Sequence, residues 1–203
     1  ASKFVEGADI GEVTTDVITA TISRKKNQMT REMDLGFLIL DAKTGEKITE
    51  VAMGTDDTGK RSILKTFVEK ETSKITLVGE FYAPKDDILK DLSKGLFIQG
   101  INFKGDELNY TEYTWKGDIS TFKQENLDEE DKKEAGKSFV LFFHDAIRSK
   151  DSHLFLVGEQ FRKQVSAGAI AGKLVAGALG GSSNASNFEI RVGNMVVMEF
   201  DQT

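Results

Sequence analysis

Two glutamates stand in the same four-residue setting, Leu77-Val78-Gly79-Glu80 and Leu156-Val157-Gly158-Glu159. A carboxylate set in an apolar run is desolvated on folding, which raises its pKa. Two such groups flanking a sugar ring can act as the acid and base of glycoside hydrolysis. Glu80 and Glu159 are therefore the catalytic candidates. The competing reading is architectural and is preferred. A residue that recurs because the architecture recurs serves that architecture, each carboxylate accepting backbone hydrogen bonds inside its own repeat.

The chain offers two imidazoles, His144 and His153. His144-Asp145 has the composition of a metal-binding pair, but one pair without a further histidine nearby is a weak ligand set, and a turn or core role is preferred. His153 aligns with Lys74 and reads as an exposed turn residue. The glycines of 177–183 follow no clear strand and lack the lysine of a phosphate loop. No metal site and no cofactor is assigned.

The Ala/Gly-rich stretch 166–179 has helical spacing, with Ile170, Leu174 and Ala178 on one face. Its three glycines each cost about 1 kcal/mol relative to alanine, so such a helix forms only against a packing partner. Ile170, Leu174, Val175 and Leu179 are the expected partner-binding residues. Insertion of the same helix into a membrane interface is the competing reading, disfavoured by its small residues and its lack of Trp and Phe.

These residues must be carried by strands. Asp16–Ser23 is rich in β-branched residues, and Leu35–Leu40 is an apolar run that turns at Asp41–Gly45, with Ile48–Ala52 pairing back. Ser62–Val68, Lys74–Tyr82, Gly95–Asn102 and Leu108–Trp115 follow in the same manner. Ser138–Phe143, Leu154–Phe161 and two last strands, Asn187–Val192 and Asn194–Phe200, close the chain. Residues 1–13 show no element, 54–60 reads as a loop, and one helical turn is expected at Asp86–Leu92. Leu40-Asp41, Ile101-Asn102 and Phe200-Asp201 each end an apolar run with an Asx turn signal.

One unit therefore reads as four antiparallel strands, with Leu-Val-Gly-Glu in the second. The 203 residues form one repeat-built domain of blade-like units at about 1–53, 59–115 and 137–203. A polar connector spans 116–136, with a solvated helix at its centre, and an Ala/Gly-rich insertion spans 162–185. The expected class is all-β with a short helical insertion. The first unit lacks its opening strand and the third stops before its fourth.

Composition narrows the function classes. A hydrophobic share of 39% with 14 Phe supports a folded core, and the formal charge of −6 speaks against a nucleic-acid surface. Cysteine is absent, which excludes disulfides and a thiol nucleophile.

Ser73–Tyr82 and Lys94–Asp106, echoed at Asp151–Phe161 and Asn194–Asp201, resemble the blades of secreted or cell-envelope β-propeller repeats of bacteroidete-type bacteria. That resemblance implies a partial propeller, placed in the periplasm, on the cell surface or outside the cell. It carries no catalytic residues. A closed propeller takes about four to eight blades, so further blades of a longer chain, a protein partner or a homo-oligomer would complete it. A packed β-sandwich of the same strands is the architectural alternative. The expected function is a noncatalytic structural or binding module in a larger envelope or secreted assembly. The alternatives are a carbohydrate-active enzyme using Glu80 and Glu159, and a peripheral membrane component anchored through 166–179.

Overall fold

β-branched and aromatic runs separated by Asx and glycine turns form strands along the chain, each pairing with its sequence neighbour. The computed structural model describes residues 4–25, 33–88, 91–115, 117–119, 140–151, 153–165 and 188–200. Contacts divide the chain into two compact units, Ala1–Lys123 and Gln124–Thr203. The first unit holds two antiparallel sheets. One is built from β1 (Phe4–Val13), β2 (Val17–Lys25), β3 (Met33–Asp41) and β4 (Lys47–Ala52), in that order. The other runs through the short β5 (Gly54–Thr55), then β6 (Gly59–Glu69), β7 (Lys74–Tyr82), β8 (Gly95–Asn102) and β9 (Glu107–Thr114). The second unit holds one sheet of β10 (Val140–Arg148), β11 (Leu154–Val165) and β12 (Phe188–Phe200). The fold is all-β with antiparallel sheets, and no α-helix occurs among the described residues.

The two sheets of the first unit pack face to face. Val17, Phe37 and Ile39 of the first sheet, with Met53 beyond β4, meet Ile75, Leu77, Phe97 and Ile101 of the second, all fully or nearly fully buried. The period-2 alternation of strands selects these positions. β7 and β8 are also buried on their reverse face at Val78 and Leu96, which explains why both read as nearly continuous apolar runs. The Asx signals act as expected at two of their three positions. Asp41 Oδ1 accepts the N–H groups of Lys43 (2.8 Å) and Thr44 (2.9 Å). Asn102 Oδ1 accepts those of Lys104 (2.9 Å) and Asp106 (3.0 Å). The backbone bonds at Asp41 hold its carboxyl below the usual carboxylate range.

Three sequence expectations need correction. Residues 4–13, read as having no element, form β1 and supply the missing opening strand of the first unit. β1 is exposed along most of its length, so it shows no apolar alternation, and its pairing with β2 is interrupted by bulges at Glu6 and at Gly11-Glu12. The second bulge is anchored twice. Thr19 Oγ1 receives the Glu12 N–H at 2.7 Å, and the Glu12 carboxylate accepts the Val68 N–H at 2.6 Å, tying β1 to β6.

The two expected last strands are a single strand, β12. Gly193-Asn194 lies opposite Gln160 as a bulge between the pairs Glu159–Met195 and Phe161–Val192, not as a turn. The expected loop at 54–60 includes strand residues at both ends, because Gly54 and Thr55 pair with Lys60 and Gly59. In 86–92, one helix-like bond joins the Asp91 N–H to the Asp87 carbonyl at 2.7 Å. The helices expected at the centre of the connector and in the Ala/Gly-rich stretch, with Ile170, Leu174, Val175 and Leu179, fall outside the described residues, as does Asp201.

Candidate functional site

The repeated Val-Gly step marks a shared backbone feature. In the second sheet Ile63 pairs with Gly79 and Lys65 with Val78, so Leu64 is an extra residue in β6. In the third sheet Phe143 pairs with Gly158 and Asp145 with Val157, so His144 is the extra residue in β10. The bulge falls at the same step of both motifs. It brings the carbonyl of the preceding strand over the glycine. A Cβ on Gly79 would lie 2.1 Å from the Ser62 oxygen, and one on Gly158 would lie 2.8 Å from the Phe142 oxygen. The equivalence extends across the next strand, where Ile75 to Glu80 pair with Ile101 to Leu96 as Leu154 to Glu159 pair with Phe200 to Met195. Glycine recurs because a bulge recurs.

The two glutamates that follow sit in different surroundings. Glu80 is half-buried on the face of the second sheet that carries Val78 and Leu96. Ser93 Oγ donates to Glu80 Oε1 at 2.7 Å, and the Tyr82 hydroxyl approaches Oε2 at 3.4 Å. Ser93 Oγ in turn accepts the Trp115 indole N–H at 3.0 Å. Burial pushes the Glu80 carboxyl above its ordinary value, and the two hydroxyl donors pull it partly back. Burial first, then the Glu80 charge, raises the Tyr82 phenol. The donors to Glu80 are side chains from the 83–94 loop and from β7 itself, where the sequence reading expected backbone groups, and Trp115, just beyond β9, holds Ser93. Nothing local in the sequence pointed to Ser93. Trp115, the only tryptophan, was the available signal.

Glu159 takes its partner from the bulge. His144 Nε2 stands 3.4 Å from Glu159 Oε2, and the His144 ring meets Phe142 edge-on at 5.3 Å. The placement of His144 follows from its being the residue that a bulge turns out of register. His153, half-exposed at the turn into β11, has Nδ1 2.8 Å from Glu199 Oε1, an ion pair when the imidazole is protonated. Glu80 is thus held by its own strand and the loop that follows it, and Glu159 by the neighbouring strand of its own sheet. Among the described residues, no group of three or more His, Asp or Glu is placed to hold a metal ion.

A cleft of about 250 Å³ opens between the two sheets of the first unit, walled by residues including Asp9, Thr21, Ser23, Leu35, Met53 and Arg61. Its one guanidinium is already engaged. Arg61 Nη1 donates to Gln99 Oε1 and Nη2 to the Ala52 carbonyl, each at 3.1 Å, and the group lies 5.4 Å over the Tyr110 ring. Gln99 is buried and passes the chain on to Glu107 at 2.7 Å. This is a polar clamp across β6, β8 and β9. Among the described lining residues, no hydroxyl is hydrogen-bonded to a base. A second clamp holds the loops at one end of the sheet, where the buried Lys60 ammonium pairs with Asp56 and donates to the Asp86 carbonyl at 2.9 Å.

A family model described as a family of unknown function, DUF6770, matches residues 1–203. The chain belongs to that family. No curated protein and no solved structure matches the chain. Membership therefore brings no assigned chemistry, and the reading of the site rests on its own geometry. Among the described residues no helix is long and apolar enough to cross a membrane.

Proposed function

We propose that this chain is a noncatalytic structural or binding module, built from blade-like antiparallel sheets and belonging to a larger assembly. The observation that supports the reading most is the use made of the repeated motif. Its glycine accommodates a bulge, and its glutamates are tied to Ser93 and Tyr82 in one copy and to His144 in the other. A hydrolytic pair needs two carboxyls facing one substrate cavity, and the cleft of the first unit is lined by neither Glu80 nor Glu159. Antiparallel meanders, such as the two whose faces pack in the first unit, are the elements of a β-propeller as well as of a sandwich. The bulge that falls at the same step of the motif in β6 and β10 supports the propeller-like reading, in which the second and third sheets would be variants of one unit.

The resemblance to envelope and secreted repeats extends the proposal to location, in the periplasm, on the cell surface or outside the cell. The test of function is a panel of glycan substrates offered to the full chain and to a Glu80→Gln/Glu159→Gln variant. The expected result is no turnover by either protein. Hydrolysis by the native chain that disappears in the variant would overturn the noncatalytic reading. Cell fractionation tests location, and recovery of the native protein solely from the cytosol would refute it.

A further inference from the structure

The cleft of the first unit lies where the core between the two sheets stops short. Along β2 the positions facing the second sheet are Val17, Thr19, Thr21 and Ser23, and along β3 they are Ile39, Phe37 and Leu35. Val17, Thr19, Phe37 and Ile39 are buried. Past them the side chains of β2 stay short and polar. Cross-strand pairing sets Asp9 and Phe37 on either side of Thr21, then Gly7 and Leu35 on either side of Ser23. One wall of the cleft thus carries a carboxylate and two hydroxyls. Leu35, Met53 and Ile63 line the rest, and Arg61 is also among the lining residues.

Two observations mark this volume as a site and not a packing fault. Among the described residues, the side chains of Asp9, Thr21 and Ser23 have no protein partner for their polar atoms. Gly7 keeps the Ser23 hydroxyl open, since a Cβ there would stand 3.2 Å from Ser23 Oγ. A larger apolar residue at Thr21 or Ser23 would carry the core across the gap and add buried area.

The lining selects the chemistry of what binds. A wholly apolar ligand would strip water from Asp9, Thr21 and Ser23 and return no hydrogen bond. An anion would meet the Asp9 carboxylate. Arg61 cannot receive it as a fork, because Nη1 is bound to Gln99 and Nη2 to the Ala52 carbonyl. The same guanidinium disfavours a cation. A carboxylate that accepts, beside two hydroxyls that donate and accept, suits a row of neutral hydroxyls. Leu35, Met53 and Ile63 suit a C–H face. A sugar ring has both. The volume of about 250 Å³ lies below the range of pockets for drug-sized ligands, roughly 300–1,000 Å³, and fits a single ring.

We infer that the cleft binds one neutral monosaccharide unit, with Asp9, Thr21 and Ser23 along its hydroxyls and Leu35, Met53 and Ile63 along its C–H face. The inference rests on the reading of the chain as a noncatalytic binding module and names the class of ligand. It makes no use of Glu80 or Glu159, neither of which lines the cleft.

The test is amide chemical-shift mapping on the isotope-labelled full chain. The probes are D-glucose, D-galactose, D-mannose and N-acetyl-D-glucosamine, with L-leucine and octanoate as zwitterionic and anionic controls. At least one sugar is expected to shift the amides of 7–9, 21–23 and 61–63 saturably, and neither control should do so. Thr21→Val and Ser23→Ala each remove one hydroxyl contact and should weaken binding about fivefold. Neither hydroxyl has a protein partner, so both variants should keep the native melting temperature, and the mapping on the native chain does not depend on them. Silence from every sugar at about 10 mM, well above a millimolar dissociation constant, would overturn the inference. So would occupation of these amides by leucine or octanoate in place of a sugar, or sugar binding that both variants leave unchanged. Failure to bind leaves the noncatalytic reading standing, whereas glycan hydrolysis refutes that reading whether or not the cleft is occupied.

Discussion

Replacing Gly79 by alanine should cost more stability than any other single methyl addition at the repeated motif, and the structure sets the scale. The new Cβ would stand 2.1 Å from the Ser62 carbonyl oxygen and 2.7 Å from Phe97 Cε1, where ordinary contact begins near 3.4 Å. The oxygen belongs to backbone held in the β6–β7 ladder, so β6 and β7 must part locally. Overpacking of this kind costs about 1–3 kcal/mol, and each ladder hydrogen bond given up adds about 1 kcal/mol. The stiffer unfolded chain returns only about 0.4–1 kcal/mol. The net expectation is a loss of about 3 kcal/mol. Gly158→Ala meets the milder distances of 2.8 Å to Phe142 oxygen and 3.1 Å to Phe143 Cδ1. A few tenths of an ångström relieve those contacts, at a net cost of about 1 kcal/mol. Urea unfolding reads both changes. Trp115 fluorescence follows the first unit, where this only tryptophan lies, and circular dichroism follows the whole chain. With a slope of about 1–3 kcal/mol per molar urea, a loss of 3 kcal/mol moves the midpoint down by about 1–3 M. A Gly79→Ala protein as stable as native, or less affected than Gly158→Ala, would refute the account of the glycine as room for a bulge.

The Glu80 carboxyl has a folded pKa raised by burial, so its protonated form favours the fold. That contribution is present below the unfolded value and is lost as pH rises through the folded one. Native protein should therefore gain stability relative to Glu80→Gln as pH falls from 7 toward 4, and parallel melting curves for the two across that range would count against a desolvated Glu80. The Thr76 hydroxyl is buried without a hydrogen-bond partner. Thr76→Val, which keeps the shape, should raise stability by about 1 kcal/mol in urea unfolding, and a loss of that size would show the hydroxyl to be satisfied. Phe97→Ala removes a fully buried ring from the core of the first unit and should lower unfolding stability by about 3–5 kcal/mol; a loss below about 1 kcal/mol would mean that the two sheets do not share this core.

Much of the architecture was legible in the chain because strand patterning is local. Leu35–Leu40, Lys74–Tyr82 and Gly95–Asn102 are apolar runs closed by turn residues, and each lies within an observed strand. β1 was missed because an exposed strand with two bulges carries no alternation, and its pairing is settled by β2 and by the Glu12 bond to Val68. β12 was split because Gly193-Asn194 is a turn signal in sequence and a bulge in the sheet, a choice made by eleven paired positions with β11.

The candidate site divides along the same line. Recurrence of Leu-Val-Gly-Glu, the two histidines and the absence of cysteine could be read directly from the residues. What the recurrence was for could not. A glycine required by a carbonyl overhead looks identical, in one dimension, to a glycine required by a turn or a ligand, since the oxygen belongs to residue 62 or 142 in another strand. Two glutamates of equal sequence context likewise acquire unequal chemistry. Desolvation and hydrogen bonding are set by what lies across space, which is Ser93 and Tyr82 around Glu80 and His144 beside Glu159. Local order follows from the alternation of the chain. The meaning of a repeated residue follows from long-range contacts that only folding brings together.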